Sequence, residues 1–318
     1  MIDARPSARP DEASPPPTDA DQRGPGLAVT AILAAALIWS SSYAVTKVAL
    51  AEIPPMTIGA LRFVLAAVIL GVVAHASQDR RRLPSRRQKL FIGLAGMLGI
   101  TAYFAVENAG VDLATAADAT LIVASYPIIT LVLELLLGRA RFSPVRLTGM
   151  LVAVAGVWLV VQGQPDDAGN DRLWGNLLLL AGGVVWAFYN LVAPRDTSGA
   201  SPVVVTYYQT LAGAGGFVLL SLTETERWSV PSGGNLLRIG FLATFCSVAG
   251  FLLYNYGLRH LEPSVAVNLL NVVPVAGLGW AALLAGETLG LPQILGGTVV
   301  IIGVALGIHR PTTKDGQS

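Results

Sequence analysis

The sequence predicts an all-α integral membrane protein of ten transmembrane helices, arranged as two inverted five-helix repeats. Three observations carry that prediction: a charge-poor apolar composition, a duplicated internal stretch, and a one-sided distribution of Arg and Lys. Hydrophobic residues make up 53% of the 318 and charged residues 13%, about half the charged share of a soluble domain. Long uncharged apolar runs recur from end to end, so the chain belongs in lipid. The single Cys246 lies inside such a run and leaves no intrachain disulfide to form. A net charge of +1 gives no electrostatic reason to expect nucleic acid as a partner.

The duplication is read at an offset of 147 residues. Gly110 to Pro127 recurs as Gly257 to Pro274, with Asn108 matching Asn255 and Ala119 matching Ala266. The same offset pairs Trp39 with Trp186, Pro55 with Pro202, Gly149 with Gly296 and Gly156 with Gly303. Identities between aliphatic residues arise by chance in so apolar a chain. Trp, Asn and Pro in one register do not, and they mark a repeated unit.

In chain order, residues 1–26 hold six Pro and few aliphatic side chains, which predicts a disordered cytoplasmic tail. They lack the charged start and apolar run of a signal peptide. Ten candidate helices follow, near 27–50, 55–77, 90–108, 113–137, 144–163, 173–193, 201–222, 235–258, 262–285 and 291–309. Each approaches the ~20 residues that cross a hydrocarbon core. Pro55, Pro144 and Pro202 open helices, where the missing N–H costs little. The first repeat spans 27–163 and the second 173–309, with a short cytoplasmic tail over 310–318. Five is an odd number of crossings, so the second unit enters the membrane upside down.

Charge sets the orientation. With the N-terminus inside, sixteen of the 21 Lys and Arg residues fall on the cytoplasmic side. Arg172, Arg227 and Arg238 fall outside, and Lys47 and Arg62 fall within helices. That bias puts both termini in the cytoplasm of a multi-pass plasma-membrane protein. Matched positions change charge with the side they face. Asp112 becomes Arg259, and the Gly138-Arg139-Ala140-Arg141 turn becomes Gly286-Glu287-Thr288.

At this point the chain resembles a known family. Tyr254-Asn255-Tyr256-Gly257-Leu258, Pro274, Gly286-Glu287 and the Gly296…Gly303 helix look like the second repeat of the drug/metabolite transporter superfamily, EamA type. Trp39-Ser40-Ser41-Ser42-Tyr43 with Lys47, and Arg62-Phe63, look like its first repeat. The resemblance covers about residues 27–309. It implies a ten-helix bundle around a cavity lined by helices one to four and six to nine, with five and ten outside it. It is weak for substrate, since the superfamily carries amino acids, nucleobase compounds, drugs and sugar phosphates.

The residues suggest where a solute binds. Pro127 and Pro274 lie mid-helix and each frees a carbonyl four residues earlier, Val123 and Leu270, either lining a wet cavity or setting curvature. Asn268 and Asn271 share a helix face, as solute ligands or as glue between helices. Trp39, Tyr43, Tyr103, Trp186 and Tyr189 lie in the bodies of cavity helices, as walls or as interfacial aromatics. Arg62 is the most costly residue, ~10 Å below the outer surface. Asp118 lies at similar depth, so the two either form a structural ion pair or meet the solute. Small residues in helices five and ten suit close packing, within the bundle or across a dimer.

The chain has none of the short motifs of a zinc protease, a serine hydrolase or a nucleotide-binding loop, and its three His lie at helix ends. No enzyme, metal or cofactor is expected. The expected activity is secondary transport of small polar metabolites, preferably efflux of amino acids or related compounds, by alternating access. The alternatives are a multidrug or other metabolite carrier of the same fold, or a non-transporting membrane sensor or scaffold. Helix one has no carboxylate between Leu27 and Tyr43, which argues against exchange of lipophilic cations for protons. The expected partners are a small-molecule substrate and the lipid bilayer, with the chain as a monomer or weak homodimer.

Overall fold

The computed structural model describes residues 19–76, 83–138, 143–162, 169–192, 200–258, 260–261, 269–270 and 272–308. Among these residues every regular element is helical. They form ten rods: α1 Asp19–Ala49, α2 Pro55–Ala76, α3 Arg86–Leu113, α4 Ala116–Leu136, α5 Pro144–Gln162, α6 Gly169–Val192, α7 Pro202–Arg227, α8 running from Gly233 to Leu258, α9 Val272–Leu284 and α10 Leu291–Ile308. Seven of them, α1 to α4 and α6 to α8, are long and apolar enough to cross a membrane, and α5, α9 and α10 contain shorter apolar helices. Most of the basic inner turns and the end of the N-terminal tail, residues 1–18, lie outside the described residues.

Local sequence explains the helix starts. Ser85 caps α3, its hydroxyl accepting from the Gln88 N–H while the Gln88 side chain accepts from the Ser85 N–H at 2.8 Å. Thr115, Ser201 and Ser232 cap α4, α7 and α8 in the same single-sided manner. Gly138 and Gly286 end α4 and the α9 segment at φ +64° and +67°, a left-handed turn that a side chain would strain.

Three boundaries differ from the sequence expectation for one reason. Counting ~20 apolar residues finds the hydrocarbon core, and polar turns extend a helix beyond it. Thus α1 begins at Asp19, inside the expected tail; α3 runs on to Leu113; and α6 begins at Gly169, which places Arg172 in a helix. Asn108, expected at a helix end, instead lies inside α3 and donates to the Pro55 carbonyl at 3.0 Å.

Packing follows the repeat. The pairs α2 with α7 and α5 with α10 each join counterparts across the two units. The α1 rod packs on α8 and α9 as α6 packs on α3 and α4. Where α1 ends, α6 begins, so the counterparts run in opposite senses. The α5–α10 contact is built from the predicted small residues: a Cβ on Gly156 would meet the Val300 nitrogen at 2.5 Å, and one on Gly303 would meet the Ala153 backbone. Those faces meet within the chain, beside α4 and away from the polar centre.

Two features were not legible in the residues. Both α3 and α8 contain a π-helical stretch, Met97–Ala102 and Leu242–Ala249, and residues 97–102 map onto 244–249 at the repeat offset. Such wide turns recur at functional sites. The α4 rod is broken at Ala124 and Ser125, just before Pro127, into Ala116–Val123 and Tyr126–Leu136. In α9 the expected free carbonyl of Leu270 is not free. It accepts from the Val273 N–H at 2.9 Å, a tighter turn that satisfies it locally.

Candidate functional site

Among the described residues, a buried polar cluster gathers around Arg62 and Glu107, distinct from the one at Asp118. Arg62 on α2 and Glu107 on α3 are 4% and 5% exposed. Each lies about 10 Å from the end of its rod that the charge bias assigns to the outside, here the outer end. The Arg62 Nε donates to the Ser247 hydroxyl in the α8 π-helix at 2.8 Å. Its guanidinium lies over the Phe63 and Phe104 rings, 5.0 and 4.8 Å from their centroids. Glu107 accepts from the Tyr103 hydroxyl one turn earlier on α3. Tyr126 stands edge-on to Tyr103, 6.1 Å between centroids, with its hydroxyl donating to the Leu179 carbonyl at 2.8 Å, and Tyr43 packs against the same group. Arg62 and Glu107 interact electrostatically, while the ion pair among the described residues joins Arg172 to Asp118.

An aromatic wall continues from this cluster toward the inner end. Trp186 lies 5.0 Å from Tyr103 and 5.2 Å from Tyr189, centroid to centroid. The Tyr189 hydroxyl donates to Gln209 at 3.5 Å. Gln209 is the repeat counterpart of Arg62, and Tyr254 that of Glu107. At these two matched pairs the outer position is charged and the inner one neutral. Of the sequence-predicted residues, Tyr43, Arg62, Tyr103, Trp186 and Tyr189 converge here.

Trp39 stands apart from that wall. Its indole Nε1 donates to the Cys246 carbonyl at 2.9 Å, inside the π-helix of α8, and its ring packs on Phe251 and Tyr254. Pro274 is buried in α9, on the side of the bundle that meets α1 and α4. Asn268 and Asn271 lie outside the described residues.

The expected Arg62–Asp118 pair is not formed. Asp118 takes Arg172 instead, Nε to Oδ2 at 2.6 Å and Nη2 to Oδ1 at 2.8 Å, with Gln293 Nε2 on Oδ1 at 2.8 Å. Equal depth fixed the height of the two groups but not the direction each faces, and Asp118 faces α6 and α10. Glu107 was the residue missed. Its charge was readable, but the expected helix ended at residue 108, and beyond Tyr103 its tyrosine neighbours come from other helices.

Charged groups also close the outer end by satisfying helix termini across the bundle. Lys47 Nζ donates to the Val111, Asp112 and Ala114 carbonyls at 2.9, 2.8 and 2.6 Å, at the end of α3. Glu287 accepts from the Ala116 and Ala117 N–H groups that begin α4, at 2.7 and 2.9 Å. Glu224 accepts from Met56 and Thr57 at the start of α2, at 3.1 and 2.8 Å. Glu52 accepts from the Ser232 N–H before α8 at 2.8 Å. A cavity of about 920 Å³ forms a lateral crevice between α2 and α7, lined by apolar residues with His75 and Tyr207. It opens sideways and does not hold the polar cluster.

Comparison with known proteins bears on this arrangement. A model of the EamA-like transporter family matches the chain twice, over residues 26–162 and 173–308. An Escherichia coli K12 protein named as the uncharacterized inner membrane transporter YedA is 27% identical over 281 residues, 87% of this chain and 89% of its own length. The uncharacterized transporter YyaM of Bacillus subtilis is 25% identical over 285 residues, 88% of this chain and 93% of its own. A protein of known crystal structure superposes with a TM-score of 0.61 at 20% identity, covering 88% of this chain and 96% of that one. At that identity the likeness speaks for the fold.

Proposed function

Because this chain belongs to the EamA-like transporter family, a family of ten-helix membrane transporters, we propose that it is a secondary transporter exporting small zwitterionic metabolites, amino acids or related compounds. The observation that carries this reading is Arg62. A buried guanidinium is costly unless something answers its charge, and here it stacks on two Phe rings with its hydrogen bond to Ser247. That arrangement orients the fork, and its terminal nitrogens make no hydrogen bond to the described residues, so in our reading they meet a solute carboxylate, which a guanidinium binds through two parallel bonds. The Tyr103 and Trp186 rings, tilted against each other 5.0 Å apart, offer faces to an ammonium group.

Alternating access fits the same molecule. The repeats are built to exchange roles: their first helices cross onto the opposite unit, and the broken α4 and the paired π-helices lie at the polar core. The cross-bundle contacts of Lys47, Glu52, Glu224 and Glu287 close the outer end. In our reading they break together when the halves rock, opening the core to the outside. The sixteen-to-three charge bias supports cytoplasmic termini.

Counterflow in proteoliposomes tests the reading. Labelled neutral amino acids should enter vesicles loaded with unlabelled ones, and Arg62→Lys should lower that exchange at least tenfold. A second reading, a drug carrier, is favoured by the apolar crevice between α2 and α7. Uptake that responds to lipophilic cations and ignores amino acids would select it.

A further inference from the structure

Glu107 has no part in the solute contacts just described, and its setting asks for one. A carboxyl at 5% exposure in the body of a membrane helix is expensive when ionised. A structural carboxyl answers that cost as Asp118 does, with a bidentate Arg and an amide. Among the described residues Glu107 has instead one hydrogen-bond partner, the Tyr103 phenol, and no ion pair with Arg62. Its neighbours are groups that can serve either protonation state, since a hydroxyl donates to a carboxylate or accepts from a carboxylic acid.

Rod by rod, the titratable and charged groups around it among the described residues are few. From α1 come Tyr43 and, nearer the outer end, Lys47, which is spent on the α3 carbonyls. From α2 comes Arg62, and from α4 come Tyr126 and Asp118, the latter held by Arg172. On α6, Asp171 and Arg172 lie at the outer start, and Tyr189 lies inward against Gln209. Cys246 on α8 lies beside Arg62 and Tyr43.

We propose that Glu107 is a proton-binding site, and that a proton taken up there is exchanged for the exported solute. The proposal rests on the zwitterion reading above for its solute. An ionised Glu107 beside Tyr103 attracts the solute ammonium lying on that ring, whereas a protonated Glu107 does not. Solute and proton thus exclude each other. The proton enters from outside after the solute leaves, resides on the carboxyl while the halves reorient, and departs inward as the next solute binds. The position suits this traffic. Glu107 lies one turn beyond the α3 π-helix and one and a half turns before the Lys47-held end, so a rocking of that half changes which side it faces. Its repeat counterpart is Tyr254, so the carboxyl occurs once and not twice.

Infrared difference spectroscopy on the full chain in lipid tests this without transport. Between about pH 5 and 8 the wild type should show a protonated-carboxyl band that titrates, and Glu107→Gln should lack it. A titrating band that survives in Glu107→Gln, or no titrating band at all, overturns the proposal. If Glu107→Gln fails to fold, Tyr103→Phe decides, since it keeps the ring and removes the hydrogen bond: the band's midpoint must shift, and an unmoved midpoint overturns the proposal. Adding a neutral amino acid at fixed pH should diminish the wild-type band. A band that titrates through Glu107 yet ignores every amino acid supports the proton site and sinks the substrate class instead.

Discussion

Arg172 and Asp118 form a parallel two-bond pair, 2.6 and 2.8 Å long, between the first turns of α6 and α4. The carboxylate is fully buried, and Gln293 from the start of α10 shares it. Three rods of the outer end thus converge on one anion. A pair of this kind contributes little beyond an apolar replacement, yet losing one partner leaves a charge stranded.

The first prediction follows from that asymmetry. Arg172→Ala should cost about 3–5 kcal/mol and sharply lower the yield of monodisperse protein. The double change Arg172→Met with Asp118→Leu should restore most of it. A single variant that melts with the wild type in detergent would show that water reaches Asp118 and the pair is dispensable.

Lys47 should govern how readily the outer end opens. Its ammonium holds three carbonyls at the end of α3, and charged hydrogen bonds are worth about 1.5–3 kcal/mol each at most. Lys47→Met should therefore raise the outward-open population roughly tenfold or more. Spin labels at Asn170 and Val230 would report it as a longer distance component. An unchanged distance distribution would mean that the carboxylate contacts close the end without Lys47.

Much of this architecture is legible in the residues, because the bilayer narrows the choices. With every backbone group satisfied inside the helix, twenty apolar residues read as one crossing, and Trp39–Trp186 or Gly156–Gly303 then fix the repeat. Side-chain partners are another matter. Arg62 and Asp118 share a depth, but depth says nothing of azimuth, and Arg172 was hidden in a presumed loop. The π-helices of α3 and α8 leave no mark, since Gly96 and Gly99 are needed for the close approach of Gln209 and Tyr189, not for the wide turn itself. Glu107 was visible as a charge, and only the fold gathers Tyr43 and Tyr126 beside its Tyr103 bond.

Acid should loosen the loop between α1 and α2. The Ser232 backbone N–H and hydroxyl and the Asn235 side chain hold the Glu52 carboxyl below the usual glutamate range. A depressed value means that the contact stabilises the fold above the unfolded glutamate pKa and is lost as pH falls through the folded one. Glu52 is exposed, so the effect is small. The Tm difference between wild type and Glu52→Gln should be present at neutral pH and vanish in acid. A difference that persists in acid would assign the effect to the side chain's shape rather than its charge.

Gly156 should tolerate no side chain. A Cβ there would stand 2.5 Å from the Val300 nitrogen and 2.8 Å from the Gly296 carbonyl oxygen, both backbone atoms that cannot swing aside. Gly156→Leu should force α5 from α10 and cost several kcal/mol, on the scale of about 1–3 kcal/mol for modest overpacking and more where backbone must move. Gly215, which has open space around its position, should accept Ala without loss. If Gly156→Leu instead folds normally and changes only the oligomeric state, the small faces serve a contact between molecules.

The final prediction separates Trp39 from Trp186, which the repeat makes equivalent. The Trp39 indole N–H is committed to the Cys246 carbonyl within the α8 π-helix, where a wide turn alters the helix's own bonding. Trp186 makes ring contacts with Tyr103 and Tyr189 instead. Trp39→Phe keeps an aromatic surface but removes the donor, leaving a buried carbonyl at a cost of about 1–3 kcal/mol. It should lower Tm while solute affinity, in the fraction that folds, stays near wild type. Trp186→Phe removes no such bond among the described residues and should leave Tm in place while weakening solute binding. The reverse assignment, stability lost at Trp186 and affinity at Trp39, would move the solute to the α8 side of α1 and dismiss the wall formed by Tyr103, Trp186 and Tyr189.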